Sequence, residues 1–514
     1  MTDFDAVVDV VVVGSGGGIA GAYTAAREGL SVALVEATDK FGGTTAYSGS
    51  GLWFPCNPVL RRAGVDDSLD AALNYFHAVV GDRTPPELQH AYVRGGAQLI
   101  AYLEADAHFQ FTELPWPDYF GTVCDARTDG RRHIVTAPLP SSALGPLRDS
   151  VRGPLDTDRL GAPPPEMLSA GRALIGRFLA AMRQYPRATL SLQSPLVDLL
   201  TDDGSVIGAT VLRDGDPLTI GARRGVLLAA GGFEHNARMR RFYGVPGRAD
   251  DTMGCCGNTG AAHEAAIRVG ASTDLMDQAW WSPGLTHPDG RSAFALWFTG
   301  GIFVNQDGRR FVNESAPYDR LGRDVIHQID SGVLRLPYWM IYDDREGEAP
   351  PVKAPNVSMV ATARYRAAGL WRTGASIHDL ADAIGVPPTN LADTVQRFNA
   401  QARQGRDEDF GRGDEPYDRA FSSGEPPLVP INKPPFHAAA FGLSDLGTKG
   451  GLRTDPRARV LDSAGTPIPG LYAAGNTMAA VSGTTYPGGG NPIGASMLFS
   501  HVAALDMAGK GLQP

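Results

Sequence analysis

The sequence predicts an α/β protein whose parallel, nucleotide-binding sheet is discontinuous along the chain and interrupted by an inserted α+β domain. Three observations carry that expectation: a strand, Gly-rich turn, helix and strand at the N-terminus; a stretch alternating with a period of two at 187–215; and strands ending in small residues on both sides of a segment of different texture. At 514 residues the chain exceeds one ordinary core. The expected division is a first cofactor-binding part over 1–278, an insertion over 279–446 that carries catalysis and substrate, and a return to the cofactor domain over 447–514.

Each element has its own signal. Residues 7–13, VVDVVVV, are β-branched almost throughout, as expected for a parallel strand buried on both faces. GSGGGIAG follows, then AYTAAREG as a helix and SVALVEA as a second strand. This is a Rossmann-like βαβ unit. Its turn offers Gly14, Ser15, Gly16, Gly17 and Gly18 to a pyrophosphate at the helix N-terminus, and Glu36, 22 residues after Gly14, to ribose hydroxyls. The third fingerprint position is Ile19 and the next glycine is Gly21, so the turn reads as lengthened. The 187–215 stretch, with turns at DDG and RDGD, reads as an antiparallel β-meander.

The insertion opens on AWWSPG and contains a hairpin candidate over 298–315 with its turn at Asp307-Gly308. It also contains a strand in PYWMIYDD and an amphipathic helix in NLADTVQRFNAQARQG. The Pro-rich segments at 422–435 and 464–470 read as loops.

Composition narrows the function. An apolar content of 43% with 20% charged residues describes a folded chain. A net charge of −10 with scattered basic residues argues against nucleic acid as the partner. The four cysteines, Cys56, Cys124, Cys255 and Cys256, form no CxxC pair and no metal-ligand spacing, and the adjacent pair reads as packed thiols. Few cysteines, an acidic N-terminus running straight into a strand and no run of 18 apolar residues give a soluble, cytoplasmic expectation.

The cofactor is read as FAD rather than NAD. Directly after Glu36 a second Gly/Thr/Ser loop presents Gly42, Gly43, Thr44, Thr45, Ser48 and Gly49, placed to follow the pyrophosphate and ribityl chain. GVLLAAGGF and GLYAAGN are strand ends resembling those of two-domain flavoproteins, contributing Ala230, Gly231, Gly475 and Asn476. Val197, Pro492 and Ile493 complete the candidate contacts. No histidine lies in the 42–51 loop, so FAD is expected to be non-covalent, and no second fingerprint calls for an NAD domain.

A last stretch, SGTTYPGGGNPIGASMLFS at 482–500, starts a helix behind more glycine than a cap needs. Glycines 488–490 are expected to let flavin and substrate press on the backbone.

Together GRRFVNES, Gly450, Gly451, Thr454 and Asp455, with AYTAAREGL, GGTTAYSG, GRALIGR, NESAPYD, LSDLGTKGGL, GLYAAGN and YPGGG, carry a resemblance over nearly the whole chain. The chain is similar to the 3-ketosteroid Δ1-dehydrogenase family of the fumarate reductase and succinate dehydrogenase flavoprotein superfamily. Where fumarate reductases typically carry an Arg, a His and a second Arg for a dicarboxylate, this sequence has Tyr318, Gly447 and Pro487 or its neighbour. Lost cations imply a neutral, apolar substrate.

The resemblance implies hydride transfer from C1 of a 3-ketosteroid to flavin N5 with proton removal at C2. Tyr318 would be the base, Tyr119 its relay, and the Tyr486 phenol and Gly490 N–H the donors to the ketone oxygen. Trp116 and Phe294 are candidate substrate walls, with Trp280, Trp281 and Trp297 as further aromatics. A quinone is the implied electron acceptor. Another steroid oxidoreductase of this fold, such as a Δ4-(5α)-dehydrogenase, and a flavin-binding protein without catalysis remain alternatives.

Overall fold

The computed structural model describes residues 4–422, 424–425 and 427–512. The first three residues of the acidic N-terminal stretch and positions 423 and 426 of the Pro-rich loop lie outside them.

The strands of the two larger sheets are β1 (Ala6–Val13), β2 (Val32–Val35), β3 (Ala188–Ser191), β4 (Leu196–Asp202), β5 (Ser205–Arg213), β6 (Asp216–Leu228), β7 (Ala279–Thr286), β8 (Ser292–Phe298), β9 (Ile302–Val304), β10 (Tyr338–Asp343), β11 (Val352–Pro355), β12 (Trp371–Gly374), β13 (Phe436–Thr448), β14 (Arg459–Leu461) and β15 (Pro467–Ala473). The helices that shape the site are α1 (Gly18–Arg27), α2 (Tyr318–Asp330) and α3 (Asn491–Met507).

The first sheet runs β14-β15-β6-β1-β2-β3, with β4 and β5 continuing antiparallel from β6. β1 lies parallel between β6 and β2, in register Val10↔Gly225 and Val10↔Val32. Val10, Val11 and Val12 are fully buried, as a central parallel strand flanked on both faces requires. The meander is real for β4, β5 and β6. The start of the alternating stretch differs: β3 leaves it and pairs parallel with β2. Its residues extend the nucleotide sheet because the tight turns that fold β4 to β6 back on one another come only at 203–204 and 214–215.

The turn after β1 is not lengthened. α1 begins at Gly18 and Gly21 lies inside it, where a Cβ would stand 2.8 Å from Ser500 O and 2.6 Å from Leu227 Cδ2. Gly21 is therefore a packing glycine that lets α3 cross α1 closely, not part of the phosphate turn.

The second sheet, β9-β10-β13-β7-β8-β11 with β12 on β13, is antiparallel and lies within residues 279–448. The hairpin at 298–315 is only half formed. β9 turns at Asp307-Gly308 and bridges Val304 to Arg310, but no second strand follows. The Glu314 carboxylate takes that place: Phe303 N–H donates to it, and Arg310 and Arg412 pair with it, all three side chains buried. The helix in NLADTVQRFNAQARQG forms at Pro388–Gln404, and the cysteines are free thiols. Among the described residues no helix is long and apolar enough to cross a membrane.

Candidate active site

A cavity of about 370 Å³ runs from the β1 turn to a cluster of aromatic side chains between the two sheets. Its first end is lined by Gly14, Ser15, Gly16, Gly17, Glu36, Gly43, Thr44, Thr45, Ser48 and Gly49. Glu36 is 5% exposed, and both carboxylate oxygens accept from the protein: Oε2 from Ser15 N (3.1 Å) and Ser15 Oγ (2.5 Å), Oε1 from Thr38 N (3.0 Å) and Thr38 Oγ1 (2.8 Å). Gly42, behind the wall, donates its N–H to Ser15 Oγ. Ala230, Gly231, Gly475, Asn476, Pro492 and Ile493 line the middle of the cavity. Gly18 sits in α1 behind the turn. Val197 does not line the cavity. The alternation along β4 turns it outward, 45% exposed, and Ser194, Pro195 and Leu196 form that wall instead.

At the far end Tyr119, Tyr318 and Tyr486 converge although hundreds of residues separate them. Ring centroids are 5.7 Å apart for Tyr119–Tyr318, 5.1 Å for Tyr119–Tyr486 and 5.5 Å for Tyr318–Tyr486, all edge-to-face. Three local structures bring them there. Tyr318 is the first residue of α2, which lies tightly on β7 because Gly322 offers no Cβ, one there being 2.8 Å from Trp281 C and Ser282 N. Tyr119 is stitched to the C-terminal stretch by its own N–H, which donates to Pro487 O (2.9 Å), while Tyr75 Oη donates to the same carbonyl (2.6 Å). Tyr486 sits just ahead of α3, and its phenol accepts from Gly490 N–H at 3.2 Å.

Gly489 and Gly490 line the cavity, and the glycine run has a second cause in the packing of the protein itself. A Cβ on Gly488 would meet Trp53 Cδ1 at 2.4 Å, one on Gly489 Trp116 Nε1 at 3.1 Å and Tyr119 Oη at 3.2 Å, and one on Gly490 Gly51 O at 1.7 Å. The space those side chains would need is taken by protein. Gly490 also has φ 85°, in the left-handed region. The glycines let the chain turn within a packed wall, which presents the Gly490 N–H beside Tyr486.

Burial dominates the electrostatics. It pushes the Tyr318 phenol well above its ordinary value, with Tyr119 and Tyr486 adding to the shift. Tyr119 is raised as well, by burial and then by Tyr417 and Tyr486, and its oxygen makes no hydrogen bond of ordinary geometry. Tyr486 is pushed up only to about 12, because contact with the Tyr318 hydroxyl and the Gly490 N–H oppose the burial. The three phenols are protonated at neutral pH, and Tyr486 is the one prepared as a donor.

Phe294 packs on Tyr318 at 4.8 Å and Trp280 on Tyr486 at 4.9 Å, and both line the cavity with Trp116. Trp281 belongs to the core of the second sheet. Trp297 stacks on Phe421 outside the lining. Sequence reading missed Met253, Asn258, Leu296, Asn356 and Leu446, which also form walls. No pattern announced them, since they come from loops and strand ends of otherwise ordinary composition. Among the described residues no Lys or Arg lines the cavity.

The FAD binding domain family matches residues 9–493. The chain belongs to that family, and FAD is its cofactor. A 3-oxosteroid 1-dehydrogenase of Mycobacterium tuberculosis is 35% identical over 98% of this chain and 99% of its own. A 4-oxocyclohexanecarboxylate 2-dehydrogenase of Sinomonas cyclohexanicum is 34% identical over 98% of this chain and 93% of its own. Among solved structures, 3-ketosteroid delta1-dehydrogenase from Sterolibacterium denitrificans, in complex with 1,4-androstadiene-3,17-dione, matches with a TM-score of 0.88 and 31% identity, over 98% of this chain and 99% of that one.

The residues present fit this FAD family. At the dinucleotide end a Cβ on Gly14 would come 2.3 Å from Ala229 O and one on Gly17 1.6 Å from Ser496 Oγ, so both positions are closed to a side chain. Gly16, whose Cβ position meets nothing closer than 3.4 Å, offers its backbone to the cavity.

Proposed function

We propose that this flavoprotein catalyses the 1,2-dehydrogenation of 3-ketosteroids. The observation that carries the reading is the convergence of three buried tyrosines and the Gly490 N–H on one end of an FAD cavity lined by no cation. A carboxylate substrate would need a fixed positive charge there, so the reading favours a neutral ketone over fumarate or 4-oxocyclohexanecarboxylate. Full-length similarity to 3-oxosteroid 1-dehydrogenases supports it.

In this mechanism FAD supplies a two-electron acceptor, at flavin N5, for the C1 hydride. The Tyr486 O–H would donate to the ketone oxygen, the Gly490 N–H would exchange its Tyr486 acceptor for that oxygen, and both would gain strength as charge develops on it. Tyr318 takes the C2 proton. It would do so as the phenolate: its own proton leaves first to Tyr119, which releases its phenolic proton to water in the same relay, and because burial holds the Tyr318 proton tightly the phenolate is a small, pH-dependent fraction. Trp116 and Phe294 hold the ring system and exclude water.

The dinucleotide end would be held non-covalently by the Gly14–Gly17 turn and the Thr44–Gly49 loop, with Glu36 exchanging a Ser15 or Thr38 donor for a ribose hydroxyl. The division at 1–278, 279–446 and 447–514 is part of this reading, supported by the second sheet falling within 279–448. So are a cytoplasmic location and a quinone acceptor.

Anaerobic titration tests it. Androst-4-ene-3,17-dione is expected to bleach the flavin while succinate and 4-oxocyclohexanecarboxylate leave it yellow. Bleaching by either carboxylate in preference to the steroid refutes the reading. Acid precipitation is expected to leave FAD in the supernatant; flavin in the pellet refutes non-covalent binding.

A further inference from the structure

We infer that Lys449 is a positioning residue that clamps Tyr318 and Tyr486 into one site, an inference that rests on the tyrosine roles proposed above. Lys449 lies just after β13 and is fully buried, yet it does not line the cavity. Its ammonium reaches both tyrosine-bearing segments at once. Nζ donates to Thr484 O (3.2 Å) and Thr485 O (2.9 Å), the two carbonyls immediately before Tyr486. On its other side Nζ pairs with Asp319 Oδ1 at 3.4 Å, the residue immediately after Tyr318. It also sits 4.2 Å from the centroid of Trp280, whose ring packs edge-on against Tyr486.

These contacts do more than neutralise a carboxylate. Asp319 already has a second cation, Arg323 Nε at 3.0 Å, so charge balance alone does not demand a buried lysine. A buried ammonium is costly unless its donors are used. Here donors are used on the Thr484 and Thr485 carbonyls, while the charge faces the Asp319 carboxylate and the Trp280 ring, each next to a proposed catalytic phenol.

The charged and titratable groups facing Lys449 are Asp319 and Arg323 from α2, with Tyr318 and Tyr486 next along the chain and across Trp280. Burial lowers the Lys449 pKa to about 7, and the neutral amine still has two N–H groups to donate to the Thr484 and Thr485 carbonyls.

Lys449→Met removes the donors while keeping a long side chain. A loss of alignment of this kind costs roughly 10²-fold in rate, so the expected result is a fall of that order in single-turnover flavin reduction. KM for the steroid and FAD content are expected to stay close to wild type. Because the single variant leaves one partner of a buried pair exposed to misfolding, Lys449→Met with Asp319→Asn is measured alongside it. The double variant is expected to keep FAD content near wild type and to recover thermal stability without restoring the rate. Recovery of the rate in the double variant would show Lys449 to be only a counter-ion and overturn the clamp, as would an unchanged rate in the single variant. Wild-type protein is the control: if the steroid fails to bleach its flavin, the proposed function falls, and if it bleaches normally while Lys449→Met matches it, only the clamp falls.

Discussion

The two ends of the cavity solve opposite problems. At the dinucleotide end every Glu36 oxygen and the Ser15 hydroxyl already have protein partners, and the turn is shaped by glycines whose side-chain space is filled by Ala229 and Ser496. At the tyrosine end Tyr119 Oη and Trp116 Nε1 are buried without partners, and burial keeps the phenols protonated. A satisfied polar end suits holding a cofactor, where binding strength is the goal. An under-satisfied end suits chemistry, because donors left free can improve their bonds as charge moves. Substitutions at the two ends should therefore differ in kind: rate at one, occupancy at the other.

The largest effect is expected from Tyr318→Phe. Losing a general base typically costs roughly 10²–10⁴ in rate, and the upper part of that range is expected because in this reading only Tyr318 meets the C2 proton. Flavin absorbance should remain at wild-type stoichiometry. Near-normal steroid turnover would remove Tyr318 from the chemistry.

Tyr486→Phe comes next. One oxyanion donor is worth roughly 10²–10³ in kcat, and KM should move little because the bond strengthens mainly beyond the ground state. Reduced FAD content with full kcat per flavin would instead make this stretch a cofactor seat.

Raising pH gives a graded test of the same end. Tyr318 is held well above its ordinary pKa, so its phenolate is a small fraction that grows with pH, and the rate of flavin reduction should climb through the alkaline range. Tyr486, at about 12, stays protonated and keeps donating over that climb. A stopped-flow profile flat to pH 10 would contradict a tyrosine base.

Tyr119→Phe should be mild, about tenfold, the equivalent of roughly one hydrogen bond, because water can replace a relay. At the other end Glu36→Gln should weaken FAD binding, read as flavin lost on dilution, with little change in turnover per bound flavin. A rate defect there would blur the division between the ends.

That division also explains what the sequence disclosed. The β1 turn, Glu36 and the Val run were legible because strand, phosphate turn and helix are local, and their spacing is dictated by backbone geometry. The tyrosine cluster was not local. Tyr119, Tyr318 and Tyr486 could be named only through family strings, and nothing in their spacing predicts that Pro487 O would stitch Tyr119 to the C-terminal stretch. Gly488–Gly490 were noticed, but the packing part of their reason lay in Trp53, Trp116 and Gly51, far away in sequence. Val197 failed for a smaller cause: a one-residue shift along a strand reverses which face a side chain takes. Gly21 and the missing second arm at 298–315 were decided by tertiary packing, against α3 and by the Glu314 ion cluster.

The central claim is that Tyr486 and Gly490 hold a ketone oxygen, and one paired measurement tests it most directly. Under anaerobic conditions, wild-type protein is mixed with a 3-keto-4-ene steroid and, separately, with its 3-hydroxy counterpart, and flavin absorbance is followed. The account predicts rapid bleaching by the ketone and an unchanged yellow flavin with the alcohol, since only the ketone can carry the charge these donors stabilise. Equal bleaching by both steroids would contradict it.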